Sequence, residues 1–320
     1  MGKAWARNLA AGGVGIGAWV DVRGGAAQEA VGELGLIDIH SDLTLAEALK
    51  LPDIDFVVDV TAPEGHCEVT LAALAAALPV IGEKPMATSL EDARRMIAAS
   101  EAAGKLYMVS QSRRYDSNIA AYREMILGHL GPLAILNADF YRGPHFGGFR
   151  DEMASPLLLD MAIHTFDQAR FISAADPISV NAEEFNAPWS WFNGDACATA
   201  AFEMSNGLRF NYRGSWCTNG LDTSWQAEWR ACGANGTAKW DGDHAPVGEV
   251  IDDSGNQSAV LSNLPDIRGG IEGSLAEFLD ALDTGKTPNG ECHDNIKSLG
   301  MVFGALRSAS TGVRQLVEGL

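Results

Sequence analysis

Glu83-Lys84-Pro85 and Asp160-Met161-Ala162-Ile163-His164 are the segments whose residue types and spacing can do chemistry. The tripeptide follows a short apolar run, Leu78 to Gly82, so it is expected at the end of a buried strand, where open parallel sheets collect ligands. An ammonium there stabilises negative charge developing on an oxygen as its proton leaves. The second segment belongs to a helix expected from Pro156 to about residue 172, opened by Ser155-Pro156 as cap and first-turn pair. Leu157, Leu158, Leu159, Met161, Ile163, Phe166 and Phe171 make it apolar on nearly every side, while Asp160, His164 and Asp167 fall at i, i+4 and i+7 on one stripe. Unpaired charge is costly to bury, so such a stripe is expected to face a cleft. Asp160 can then orient the imidazole and raise its proton affinity, and His164 can exchange a proton with a hydroxyl near neutral pH. A structural Asp–His bond in the core is the competing reading. Metal ligation by the pair lacks a third ligand in the sequence, and no metal is expected.

The elements that must position these groups come in two grammars. Residues 1–112 alternate helices with short apolar strands. A helix ends near Gly12-Gly13, and Ile16–Val20 reads as a buried strand ending at Asp21. A helix at 26–34, a strand at 56–60, a helix at 66–78 and a strand at 106–109 follow. Ser89 caps a helix to about Ala103. Strands apolar throughout and separated by helices predict a parallel, doubly wound α/β sheet. Residues 113–320 read as a second α/β domain with a large, mostly antiparallel open sheet and helices on one face. Its hairpins are marked by Asn206-Gly207 and Asn235-Gly236, which suit a type I′ turn, and Trp225, Ala227, Trp229 and Ala231 alternate as a strand with one buried face. His145-Phe146-Gly147-Gly148-Phe149-Arg150 reads as a mobile loop. Trp189, Trp191 and Trp216 could stack on a sugar ring, but each is read as core.

Composition excludes several classes of function. The 320 residues carry a formal charge of −19, whose field repels nucleic acid and anionic lipid alike. Five scattered cysteines with no CxxC pair indicate neither a disulfide framework nor a structural zinc site. No run approaches the roughly 18 apolar residues of a membrane span, and Lys3 and Arg7 precede no signal-like apolar stretch. The expectation is a cytoplasmic protein with a small-molecule ligand.

Thr61-Ala62-Pro63 with His66, then Glu83-Lys84-Pro85, then Arg113-Arg114-Tyr115-Asp116, and last Asp160-x-x-x-His164-x-x-Asp167, come in an order that resembles the Gfo/Idh/MocA oxidoreductases, the glucose–fructose oxidoreductase and inositol dehydrogenase family. The resemblance covers essentially the whole chain. It implies a Rossmann domain followed by an open-sheet domain, a dinucleotide cofactor, and oxidation of a secondary alcohol on a sugar, cyclitol or related polyol. By resemblance, Glu83 contacts the nicotinamide-side ribose, Lys84 reaches cofactor and substrate hydroxyl, and Thr61, Pro63 and His66 border the cofactor cleft. Arg113 and Asp167 match substrate-side positions, with Tyr141, Arg142 and His145 just past the strand bordering the pocket. Copies of such chains commonly associate through the open sheet, and a homo-oligomer is expected. Some relatives are glycosidases that use NAD with no net redox, and others are regulators that bind dinucleotide without catalysis. Asp21, ending the second strand, can accept hydrogen bonds from ribose hydroxyls and would repel a 2′-phosphate, which favours NAD, although Arg23 weakens the preference and leaves NADP open. One departure stands at the start. A dinucleotide domain opens with a strand and a GxGxxG turn, whereas here Gly2 occupies the last glycine's place and the strand before it is missing. The expectation is a natural polypeptide that begins roughly a dozen residues upstream, the length of a strand plus a turn; a truncated, inactive product is the alternative.

Overall fold

Three short strands, β1 (Val57–Asp59), β2 (Val80–Gly82) and β3 (Tyr107–Val109), form a parallel sheet in the order β1-β2-β3 in the computed structural model, which describes residues 1–318. Contacts divide the chain into two units: Met1–Ser112 with Arg268–Asn295, and Arg113–Ile267 with Ile296–Leu320. The three strands belong to the first. Every residue of β2 and β3 is buried, as the apolar runs require of a parallel sheet covered by helices. The helices α1 (Gly2–Ala11), α2 (Ala26–Glu33), α3 (Leu45–Ala48), α4 (Pro63–Ala75) and α5 (Leu90–Ala103) intervene. As expected, Ser89 caps α5, accepting the Asp92 backbone N–H at 3.0 Å.

Two features of this unit depart from the sequence reading. Ile16–Val20 does not build a strand: it makes one parallel bridge, Ala18 to His40, through Trp19 N–H to His40 O at 2.8 Å and His40 N–H to Gly17 O at 3.0 Å. A strand needs a ladder on at least one side, and this segment faces a groove of about 2100 Å³ lined also by Val57, Val58 and Val60. Both flanking segments are apolar yet only half-buried. The second departure is the return of the chain: α8 (Gly270–Thr284), near the C-terminal end, packs on α1, and its Phe278 meets Phe56 edge-on at 5.3 Å.

In the second unit, β4 (Leu133–Tyr141), β5 (Pro177–Phe185), β6 (Cys197–Met204), β7 (Arg209–Ser215), β8 (Glu228–Gly233), β9 (Gly236–Trp240), β10 (Val247–Ile251), β11 (Gln257–Val260) and β12 (Gln315–Leu316) form one sheet ordered β11-β10-β9-β8-β4-β7-β6-β5-β12. Only β4 and β7 pair in parallel; the rest is antiparallel. The helices α6 (Ser117–His129), α7 (Ile163–Ser173) and α9 (Cys292–Thr311) complete the element list. Alternation sorts the strands into two faces. Leu136, Ala138, Phe140, Phe210, Tyr212 and Trp229 are buried, whereas Asp139 pairs with Arg213 at 2.6 Å on the exposed side. The hairpin at Asn206-Gly207 forms with Gly207 at φ +82°. The second turn falls one residue earlier than Asn235-Gly236, because Gly233 pairs with Gly236 and leaves Ala234-Asn235 at the tip, where neither residue has positive φ. The alternating run likewise shortens: Ala227 bends at φ +65° and the strand begins at Glu228. Among the described residues no helix is long and apolar enough to cross a membrane.

Candidate functional site

The helix that carries Asp160 and His164 is buried almost throughout. From Met161 to Arg170, His164 is the one residue not buried. The expected single helix is split: a π turn spans Leu157–Ala162, and α7 begins at Ile163. Such turns insert an extra residue and recur at functional sites. The three-residue stripe is corrected accordingly. Asp167 is 1 % exposed, and its carboxylate takes both Nε and Nη2 of Arg114 at 2.7 Å and the Ser298 hydroxyl at 2.7 Å. It is a buried strut between α7 and neighbouring elements. Asp160 is held from outside the helix, its Oδ2 accepting Arg150 Nε at 2.7 Å.

Arg150 is a residue the sequence reading left out of the site. It ends the glycine loop that was expected to be mobile, lies over the Phe149 and Phe146 rings at 4.7 and 5.7 Å, and ties that loop to the π turn. Arg113 donates to the Trp225 carbonyl. Burial pushes its guanidinium down to about 10, partly offset by the charges of Tyr212 and Asp160, so Arg113 and Asp160 share one electrostatic environment. Tyr141 closes β4, its backbone N–H bonded to Thr223 Oγ1 at 2.9 Å, and burial raises its phenol above the usual range. Arg142 donates to Thr223 O at 2.7 Å, lies 3.7 Å from the Asp222 carboxylate, and covers the Trp225 ring at 4.3 Å. Gly143 follows because a Cβ there would collide with the Thr218 carbonyl oxygen. His145 stacks on Trp191 at 3.7 Å. Trp216 is buried as expected, but Trp189 is 63 % exposed, its indole N–H reaching Cys217 O at 3.0 Å, and so is not core.

In the first unit, Glu83 and Lys84 directly follow β2, as the apolar run required, and Lys84–Pro85 is cis. Glu83 accepts the Trp5 indole N–H at 2.7 Å. Thr61 Oγ1 donates to Asp59 at 2.7 Å, and Pro63 opens α4. At 2 % exposure, with Nδ1 3.1 Å from Asp59 Oδ2, His66 is buried in a network with Asp59, Thr61 and Thr70, of which Asp59 and Thr61 line the groove beside it. Gly2, Lys3, Asp21, Arg23 and Thr61 line the groove of about 2100 Å³. At Gly2 a Cβ would come within 3.0 Å of the Trp19 ring. Asp21 is gripped by Arg23 through Nε at 3.0 Å and Nη2 at 2.8 Å, and this pairing lowers its carboxyl below the usual range. A carboxylate acceptor at the end of the Ile16–Val20 segment, with the Thr61 hydroxyl and the Gly2 backbone on the same groove, fits a dinucleotide. Glu291, Cys292 and His293 bring potential metal-ligand atoms within 4.8 Å of one another, and burial pushes the Cys292 thiol far up.

Comparison with known proteins agrees with this architecture. Residues 6–111 match the oxidoreductase family with NAD-binding Rossmann fold, and residues 119–239 match the GFO/IDH/MocA C-terminal domain. The 1,5-anhydro-D-fructose reductase of Ensifer adhaerens is 29% identical over 289 residues, covering 86% of this chain and 83% of its own. An inositol 2-dehydrogenase of Arthrobacter sp. (strain FB24) is 33% identical over 171 residues, 52% of this chain and 48% of its own. The fold is shared with an oxidoreductase from Agrobacterium radiobacter solved in complex with NAD+, L-tartaric acid and magnesium, at a TM-score of 0.84 and 23% identity over 99% of this chain and 95% of that one. Fold and matched segments define an NAD(P)-binding oxidoreductase with a Rossmann domain and an open-sheet domain. The chain belongs to the Gfo/Idh/MocA oxidoreductase family.

Proposed function

We propose that this chain transfers a hydride between NAD and a secondary alcohol of a sugar, cyclitol or related polyol, with His164 as general acid/base. The observation that carries the reading is the exposure pattern of the π turn and α7: on an otherwise buried stretch, the ionisable groups left open are Asp160 and His164. When bound, the nicotinamide ring supplies the hydride acceptor or donor. The chain supplies the rest. A ring nitrogen of His164 takes the hydroxyl proton as the carbon-bound hydrogen departs, and an imidazole is the side chain suited to this near neutrality. The Lys84 ammonium stabilises the oxygen left behind. Asp160 supports the cationic form of His164, and Arg150 keeps that carboxylate in place. Arg113, Tyr141, Arg142 and His145 are assigned to the remaining hydroxyls of the substrate. Glu83, Thr61 and Asp21 are assigned to the cofactor. The named substrates of the reductase and inositol dehydrogenase relatives support a polyhydroxylated substrate.

The test is a panel of sugars, cyclitols and polyols with NAD and NADP. Stoichiometric change in nicotinamide absorbance with product is expected; product without absorbance change would replace this reading by a glycosidase with no net redox. His164→Ala and Lys84→Ala should each lower turnover by about 10²–10⁴ with unfolding midpoints unchanged. Near-normal rates in both variants would end the proposal. Asp21→Ala should shift the kcat/KM ratio toward NADP, and an unchanged ratio would remove Asp21 from cofactor choice.

A further inference from the structure

We infer that Cys197 and Cys217 form a redox-active dithiol that closes to a disulfide on contact with a hydroperoxide. Cys197 opens β6 directly opposite Ser215, the last residue of β7, and Cys217 lies two residues further along. Their sulfurs are 3.7 Å apart. A disulfide needs about 2.05 Å, a further approach that rotation of the two side chains, one on β6 and one just past β7, would have to supply. The backbone is already fixed for it: Trp216 N–H bonds Ala196 O at 2.8 Å, which holds the two cysteine-bearing segments side by side. Ser215 Oγ sits between the sulfurs, 3.4 Å from one and 3.6 Å from the other, where it can relay a thiol proton.

Two buried cysteines would by themselves be ordinary apolar filling. Sulfur-to-sulfur contact, a shared hydroxyl and an accessibility gradient distinguish this pair. Cys197 is 5 % exposed and Cys217 is fully buried, so Cys197 is the sulfur that meets the oxidant. The Cys197 sulfur attacks one peroxide oxygen and the O–O bond breaks. The other oxygen leaves as water, or as an alcohol from an organic peroxide, carrying the thiol proton. The resulting sulfenic acid is attacked by the Cys217 sulfur, the S–O bond breaks, and a water departs with the second proton. Two thiols have lost two electrons and the peroxide has gained them. Burial raises the Cys197 thiol above its usual range, which makes the first step slow.

The bond would fasten two loops. The segment leading into Cys197 carries Trp191, which stacks on His145, and the segment leaving Cys217 carries Asp222 and Trp225, which hold Arg142. The inference does not rest on the proposed function, since its readout is covalent. The folded protein is treated with hydrogen peroxide, quenched with catalase, denatured in iodoacetamide and digested with trypsin. Arg170, Arg209, Arg213 and Arg230 put the two cysteines on separate peptides. The expected product is the linked pair, two hydrogens lighter than the sum of its peptides, absent in Cys197→Ser and restored to two free peptides by dithiothreitol. Cys197 and Cys217 both recovered alkylated, or linked only when oxidised after denaturation, would overturn the inference.

Discussion

The two sheets of this chain treat apolar strand sequence in opposite ways. In the first unit, Val57 and Val58 on β1 and the run Ile16–Val20 are half-buried beside a wide groove, although both read as interior strand. In the second, Leu136, Ala138 and Phe140 of β4 are flanked on both sides by β7 and β8 and are essentially inaccessible. The difference teaches that an apolar run specifies a strand only where a ladder exists to receive its backbone groups. It also separates two ways of holding charge. The first unit buries His66 with Asp59 at 3.1 Å, one neutralisable pair. The second buries a permanent cation, Arg114, which donates two bonds to Asp167, whose carboxylate also accepts the Ser298 hydroxyl.

The largest effect that would sharpen this contrast is loss of the Asp167 carboxylate. Asp167→Ala removes a buried carboxylate that accepts two bonds from Arg114 and one from Ser298, and a cost of about 3–5 kcal/mol is expected in urea unfolding. If the first unit melts in the same transition, followed by a probe on each unit, the two regions are one cooperative block and the contrast fails. Next comes hydrogen exchange. Amides of β1 should exchange at least about a hundredfold faster than those of β4 and β7, because local opening is easiest where few contacts cover the backbone. Equal protection would mean that the groove does not weaken the sheet. The smallest effect concerns His293, which bonds Glu101 at 3.0 Å and Glu291 at 2.8 Å, contacts that raise its imidazole above the usual value. A raised folded value stabilises fully below the unfolded value near 6.5, and that stability is lost as pH rises through the folded one. His293→Gln should therefore cost stability at pH 5.5 and nothing at pH 9. The side chain is half-exposed, so screening keeps the cost under about 1 kcal/mol. A loss that persists at pH 9 would assign it to packing.

Much of the architecture was legible because it rests on local rules. Ser89 as cap, Gly207 in its hairpin, and the strand ending before Glu83-Lys84-Pro85 each follow from a few adjacent residues. The accessibility of Asp160 and His164 was legible from two ionisable side chains on an otherwise apolar stretch. The burial of Asp167 was not, since a helical stripe fixes angle but not which neighbour covers it, and the covering Arg114 and Ser298 are remote in sequence. The burial of His66 was hidden for the same reason, its partner Asp59 lying on the preceding strand. Arg150 was missed because it pairs with Asp160 across a π turn, and no spacing rule announces an inserted residue.

The return of α8 to the first unit has a consequence for how the protein is made. Phe278 is the edge-on partner of Phe56, and Gly290 O receives the Val109 N–H at 2.8 Å. A nascent chain leaving the ribosome therefore carries the early half of one unit, then the bulk of the other, before the missing pieces of the first emerge. The nucleotide-binding portion is completed only after the bulk of the other unit has emerged, and until then its half-built hydrophobic surface is a stretch in need of a chaperone.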